Sequence, residues 1–356
     1  MSLIHKLIKT TPHLRRSFER ARHSRGRITT VYDISSSCNL RCDGCLFFDR
    51  DGNHAGSDQL PSTESFDALF KQERERGVNY PIFGGAEPGL NQTILLAASR
   101  SWSDGMVHTN GTIRFHPDIP FRLYVSCWGG PETTRRWRGG DSYATMMNNI
   151  ADDERVVVNY TVNRSNIGDI LPVTKACAER GVQITFQVYS PTSDYLHTLN
   201  ENIGPHPFVH ESSMRDNLIM RPTDDAVALQ VIIKAIDLYP DTTLFTYDLA
   251  DWVFGRSGMF DTSEIEAEVP LHCDVARDTR HRHHLTDMTL ETRKTCGHPE
   301  IECRTCRTYT TIFTSYFRQK AARLDSEESI AEYLAAHEVF HKIFYLYCQE
   351  QRTVSF

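Results

Sequence analysis

Between about Arg27 and Tyr239, short apolar runs alternate with longer segments whose apolar residues recur at helical spacing. Thr29 to Ile34 predicts a first strand and Ser65 to Arg76 a helix, after which Tyr80 to Phe83 predicts a second strand that ends at Gly84 and Gly85. Leu90 to Ser101 suits a helix, Met106 to His108 a short strand, and Phe121 to Cys127 a strand whose β-branched and aromatic residues fit a pleated surface. Tyr143 to Ile150 and Ile167 to Arg180 predict helices, whereas Val156 to Val162 and Val182 to Tyr189 read as buried strands. Strands linked by helices run parallel, with right-handed crossovers and functional loops at the carboxyl ends of the strands. The expected fold class is α/β: six βα units forming a partial (β/α)6 barrel, followed by a cysteine-rich C-terminal extension and a terminal helix.

From Pro191 to Pro222 the pattern dissolves into polar, His- and Pro-containing sequence, a candidate substrate lid, before Asp224 to Leu238 resumes as a sixth helix. Ser326 to Cys348 predicts a long closing helix. These elements suggest a basic N-terminal helix over 1–27, a barrel over 28–240 and an extension over 241–356.

Composition narrows the class. The 356 residues can bury a sizeable core, and with 40% hydrophobic and 24% charged residues no apolar run approaches the length of a membrane span. A net charge of -7 argues against nonspecific binding to nucleic acid, which needs a positive field. The first 27 residues depart from that average, with eight Lys and Arg against the single acid Glu19. They read as a solvated helix or as an Arg-rich presequence, and they lack the apolar stretch and cleavage site of a secretory signal. A cytoplasmic, reducing location is therefore expected, in which thiols stay free.

Six of the ten cysteines fall into two groups, Cys38/Cys42/Cys45 and Cys296/Cys303/Cys306. The first is a Cys-x3-Cys-x2-Cys loop directly after the first predicted strand, concentrating three soft thiolate ligands on a few residues. Three ligands leave one iron of a [4Fe-4S] cube open to chelate a small molecule. A zinc loop is the alternative. This spacing in this place, with Gly84-Gly85-Ala86-Glu87-Pro88 after the next strand, resembles the radical S-adenosylmethionine (SAM) superfamily over about residues 28–240.

The resemblance implies that the open iron binds the amino and carboxylate groups of SAM and that an electron cleaves its S–C5′ bond to a 5′-deoxyadenosyl radical. It also implies an external reductant such as flavodoxin or ferredoxin. On the same resemblance, Gly84, Gly85 and Glu87 form the turn facing the SAM ammonium, Ser126 and Asn163 contact the SAM carboxylate or ribose, and Arg138 pairs with the methionyl carboxylate. Each of these has a plain structural reading as well: a tight loop, loop caps and a surface arginine. Thr109-Asn110-Gly111 resembles a turn that ends the third strand in the family and is expected to be structural first. The sequence departs from the family at Gly44, where many relatives carry an aromatic residue beside the adenine. Phe47 or Phe48 are the candidates to replace it.

Cys273, Cys296, Cys303 and Cys306 are spaced Cys-x22-Cys-x6-Cys-x2-Cys, and the final pair is a chelating unit of zinc and iron-sulfur sites. In context the group resembles the auxiliary-cluster extension of twitch or SPASM type, implying a second [4Fe-4S] cluster; structural zinc and unligated thiols stay open. Arg280 to His284 reads as a solvated polar loop, and His337 with His341 as helix-face residues. The catalytic side chains are not legible. The leading expectation is radical modification of a small molecule in natural-product or cofactor biosynthesis. A SPASM-like peptide-modifying enzyme is the runner-up, and a noncatalytic metal-binding scaffold the competitor of another class.

Overall fold

The computed structural model describes residues 11–48, 63–201, 206–255, 281–285, 288–292, 301 and 306–346. Six strands follow the apolar runs: β1 (Thr29–Asp33), β2 (Tyr80–Gly84), β3 (Met106–Thr109), β4 (Arg122–Cys127), β5 (Val156–Val162) and β6 (Gln183–Val188). Neighbours among them pair in parallel. A parallel strand cannot return through a hairpin, and helices cross between all neighbours except β3 and β4, which a loop joins. These are α2 (Thr63–Glu75), α3 (Gln92–Ser99), α4 (Pro131–Arg138), α5 (Tyr143–Ile150) and α6 (Ile170–Ala178). α1 (Pro12–Arg25) precedes β1, and α7 (Ser193–Glu201) with α8 (Pro222–Leu238) follow β6. Residues of β1 to β6 line one cavity, so the sheet curves into the expected partial barrel.

The extension is woven into the same sheet. After α9 (Tyr247–Phe254), strand β7 (His281–His284) pairs in parallel with β1, and β8 (Thr289–Thr292) pairs antiparallel with β7. The order is β6-β5-β4-β3-β2-β1-β7-β8. At the other edge Leu244 and Thr242 exchange backbone bonds of 2.7 and 2.9 Å with Ile184 of β6. The His-rich run expected as a solvated loop is thus a strand. Buried His283 stacks on Tyr32 and lies 3.4 Å from Glu73 Oε2, a carboxylate that also accepts from Tyr32 and Arg76. Burial opposes the charge on Glu73, but nearby His283 and the hydrogen bonds from Arg76 and Tyr32 together outweigh it and hold its pKa below the usual carboxylate range.

Two further helices follow among the described residues, α10 (Tyr309–Ala321) and α11 (Glu327–Phe344), the latter begun by reciprocal Ser326–Ser329 capping bonds of 3.1 Å. Its end packs beneath the barrel, where buried Arg122 of β4 donates to the carbonyls of Lys342 (2.7 Å) and Tyr345 (2.8 Å). An arginine satisfies the orphan carbonyls that a helix end leaves. The N-terminal helix is not simply solvated: Leu14 and Phe18, one turn apart, pack against Ile330, Tyr333 and Leu334 of α11, and Arg20 pairs with Glu338. His337 and His341 are buried, His337 stacking on Phe317 with centroids 3.7 Å apart. Among the described residues no helix is long and apolar enough to cross a membrane.

Candidate active site

The cysteine loop leaves β1 and is zipped to the glycine turn that leaves β2. Ile34 N donates to Gly84 O (3.0 Å), Ala86 N to Ser35 O (2.9 Å) and Glu87 N to Ser37 O (3.1 Å). The approach requires glycine at position 85: its φ is +108°, and a Cβ there would sit 2.5 Å from Ser35 O. The loop and turn border a cavity of about 280 Å³ at the carboxyl ends of the strands, lined among others by Cys38, Cys42, Cys45, Gly84, Gly85 and Arg138. Ser126 lines it too.

Glu87 is fully buried beneath the turn and stays out of the lining. Its carboxylate accepts from Thr109 Oγ1 (2.6 Å), Asn110 N (2.7 Å) and Gly89 N (2.8 Å), tying the β2 turn to the Thr-Asn-Gly end of β3. Burial raises its pKa despite those donors. Asn110 lines the cavity, with its amide 3.7 Å from Cys38 Sγ and bonded to Asn39 Oδ1 at 2.9 Å. That turn does more than end a strand.

Arg138 is the last residue of α4 and 4% exposed, so the surface reading fails. Its Nε points at Cys42 Sγ (3.5 Å), and a second guanidinium nitrogen donates to Ser126 O. Burial opposes its charge, yet the Cys42, Cys127 and Cys38 sulfurs together hold its pKa above the ordinary value. Asn163 is placed outside the cavity. Fully buried, it accepts from Ser165 N (2.9 Å) while its own N–H donates to Asn166 Oδ1 (2.8 Å), so it closes the turn between β5 and α6.

The three thiols are free of disulfides. Burial pushes Cys38 up to about 11 and Cys45 up to about 12, so both disfavour the thiolate unless a cation compensates. Among the described residues no three His, Cys, Asp or Glu side chains converge as on a single ion. A soft three-sulfur set bordering a cavity of this size fits an iron-sulfur cluster with one iron left open. Of the second cysteine group, Cys273, Cys296 and Cys303 lie outside the described residues. Cys306 is buried, its sulfur 3.5 Å from Thr311 Oγ1, and Thr308 two residues on lines the cavity.

At Gly44 the seat for an aromatic ring is taken. A Cβ there would lie 2.0 Å from Tyr189 Oη, which donates instead to Gly44 O (2.9 Å). Phe48 stacks on Phe208 at 4.4 Å and meets Phe47 edge-on, and both Phe47 and Phe48 line the cavity.

The sequence reading overlooked the inward rows of the barrel: Asp33, His108, Tyr124, Asn159, Thr161 and Gln187. Gln187 Nε2 donates to Thr161 Oγ1 (2.9 Å), while buried Asn159 Oδ1 has no hydrogen-bond partner among the described residues. The available signal was a polar residue at every second position of an otherwise apolar strand, as at Asn159 and Thr161. The segment 191–221, expected as a lid, contributes nothing to the described lining. Its residues 208–212 fold against the cysteine loop.

The curved parallel sheet, with three free thiols after its first strand and a glycine turn after its second, is a partial α/β barrel whose site lies at the carboxyl ends of the strands. No family model matches the chain, and no curated protein matches it. Among solved structures it is similar to SuiB of Streptococcus suis bound to S-adenosylmethionine, with a TM-score of 0.52, 12% identity, and coverage of 74% of this chain and 60% of SuiB. SuiB alone gives 0.50 at 13% identity over 74% and 60% of the two chains. SuiB bound to the precursor peptide SuiA gives 0.50 at 11% identity over 74% and 59%. At such identity the likeness is one of fold, and this chain spans about 60% of SuiB's length.

Proposed function

We propose that the chain is a radical SAM enzyme that modifies a peptide. The observation that supports this most is the joint placement of three thiols, the Gly84–Gly85 turn, Ser126 and buried Arg138 around one cavity, in a fold like that of SAM-bound SuiB. Cys38, Cys42 and Cys45 would hold a [4Fe-4S] cluster, which when bound supplies the electron that breaks the S–C5′ bond of SAM. Gly84 and Gly85 would bring backbone close to the SAM ammonium, Ser126 would contact its carboxylate or ribose, and Arg138 would pair with its carboxylate. Glu87 acts indirectly, by fixing Thr109 and Asn110, and Asn163 by shaping the turn whose Asn166 donates to the Trp128 carbonyl. Inward polar residues such as Asn159 offer hydrogen bonds to substrate, while the apolar remainder of the wall keeps water from the reacting carbon.

The peptide, in preference to the small molecule first expected, is favoured by the fold's likeness to SuiB bound to its precursor peptide. A second cluster on Cys303 and Cys306, with Cys273 and Cys296, belongs to the same proposal and would lie close to the cavity wall at Thr308. A reducing, cytoplasmic setting with a ferredoxin or flavodoxin as electron donor suits this chemistry. The test is anaerobic incubation of reconstituted protein with reductant and SAM, reading 5′-deoxyadenosine by chromatography and peptide mass by spectrometry. No 5′-deoxyadenosine would remove the enzymatic reading. 5′-Deoxyadenosine that rises with small metabolites and with no peptide would return the substrate to the first expectation.

A further inference from the structure

Asp43 lies between two of the three clustered cysteines, and its side chain is fully buried. It makes no contact with the cavity. Its Oδ2 accepts from the backbone N–H groups of His210 (2.7 Å), Glu211 (2.7 Å) and Ser212 (3.3 Å) and from His210 Nδ1 (2.9 Å), and its Oδ1 accepts from Ser212 Oγ. Three successive amides converging on one oxygen form a nest, an arrangement that selects an anion. Here the anion is supplied by the cysteine loop itself.

Around that hub the same two segments are joined again. Gly44 N donates to Phe208 O (2.6 Å), and Phe48 stacks on Phe208. Ser212 Oγ lies 2.5 Å from Tyr195 Oη, which also accepts from Leu218 N (3.2 Å), so the strap is bolted to α7. Arg136 of α4 reaches Asp216 at 2.6 Å. On its other side the loop hangs on the end of α4 through Asp43 N to Trp137 O (2.8 Å) and Arg41 N to Arg138 O (3.2 Å). All of these bonds are made by protein alone.

We infer that residues 206–218 are a strap whose grip on Asp43 holds Cys42 and Cys45 toward the cavity before any cluster is loaded, making Asp43 a positioning residue of the cluster site. The inference rests on the proposed function for the identity of the group bound. The eight-residue loop from Cys38 to Cys45, with three ligands, pays the entropy of ordering when the cluster arrives unless something orders it beforehand. The strap is that device.

Amide hydrogen exchange of the cluster-free protein tests the clamp directly. In Asp43→Ala, residues 38–48 and 208–213 should exchange at least about tenfold faster than in the wild type, with β4 and β5 unchanged. The paired variant His210→Phe with Ser212→Ala leaves Asp43 in place and should raise exchange in the same two segments. If Asp43→Ala unfolds, this pair carries the test. After reconstitution in a background with Cys303 and Cys306 replaced by Ala, which leaves only the first site, Asp43→Ala should hold less than about half of the iron of its parent, and its reduced-state electron paramagnetic resonance signal should no longer shift on adding SAM. Unchanged exchange in both variants, or full iron with a normal SAM-induced shift in Asp43→Ala, overturns the inference. A wild type that takes up no iron sinks the proposed function instead, and the exchange result still decides the clamp.

Discussion

Replacing Gly44 by Ala probes how tightly the cysteine loop is seated. The backbone there has a φ of +61°, and the added Cβ would stand 2.0 Å from Tyr189 Oη and 3.0 Å from Tyr195 Cε2. The left-handed region costs a residue with a Cβ about 1–2 kcal/mol. Forcing one extra carbon against packed rings costs about 1–3 kcal/mol. Neither ring has room to retreat, because Tyr189 and Tyr195 are buried with Trp128, Trp137 and Leu199 in a satellite core. Loss of the Tyr189–Gly44 hydrogen bond adds about 0.5–1.5 kcal/mol. The expected destabilisation is therefore about 3–6 kcal/mol.

Urea denaturation of the cluster-free protein, followed by tryptophan fluorescence, measures it, since Trp128 and Trp137 report on this core. The discriminating measurement is a cycle with Tyr189→Phe. Removing the hydroxyl clears the 2.0 Å contact but leaves the backbone cost, so the double variant should be about 1–2 kcal/mol more stable than the two single effects predict. Additivity within about 0.5 kcal/mol, or a Gly44→Ala protein as stable as the wild type, refutes the steric account.

Replacing Cys38, Cys42 or Cys45 by Ala should abolish 5′-deoxyadenosine formation, and full activity in any of the three would reject their role as cluster ligands. Replacing Cys303 and Cys306 together should remove about half of the bound iron if a second cluster is held there, and an unchanged iron content rejects that cluster. Glu73, whose pKa is lowered in the folded protein, contributes stability above the ordinary carboxylate range that is lost as pH falls through its depressed value. Urea midpoints should accordingly drop more between about pH 6 and pH 3 in the wild type than in Glu73→Gln, and parallel drops would show that the Glu73 cluster does not set the acid sensitivity.

What the sequence determined by itself was whatever depends on neighbours along the chain. Strand and helix periods are local, so the βα succession was readable, and so were the cysteine loop and the glycine turn, whose chemistry lies within a few residues. α4, α7, α9 and α10 went unread because their apolar faces are short or broken by polar residues that only tertiary contacts bury, such as Arg138 and Thr198. β7 was mistaken for a loop because His283 looks hydrophilic until Tyr32 and Glu73 surround it.

Within the site, tertiary structure decided which residues face the cavity. The alternation puts Asn159 and Thr161 on one face of β5, but both faces of that strand are buried, so which face lines the cavity was decided only by the curvature of the sheet. The same holds for Arg138, Asn163 and Asp43, polar residues whose roles depend on partners distant in sequence. Arg138 finds Cys42 across 96 positions, Asp43 finds His210 across 167, and Asn163 spends its amide on its own turn. Spacing along the chain can nominate a ligand loop; it cannot say what holds that loop in place, because burial and pairing are properties of the folded surface.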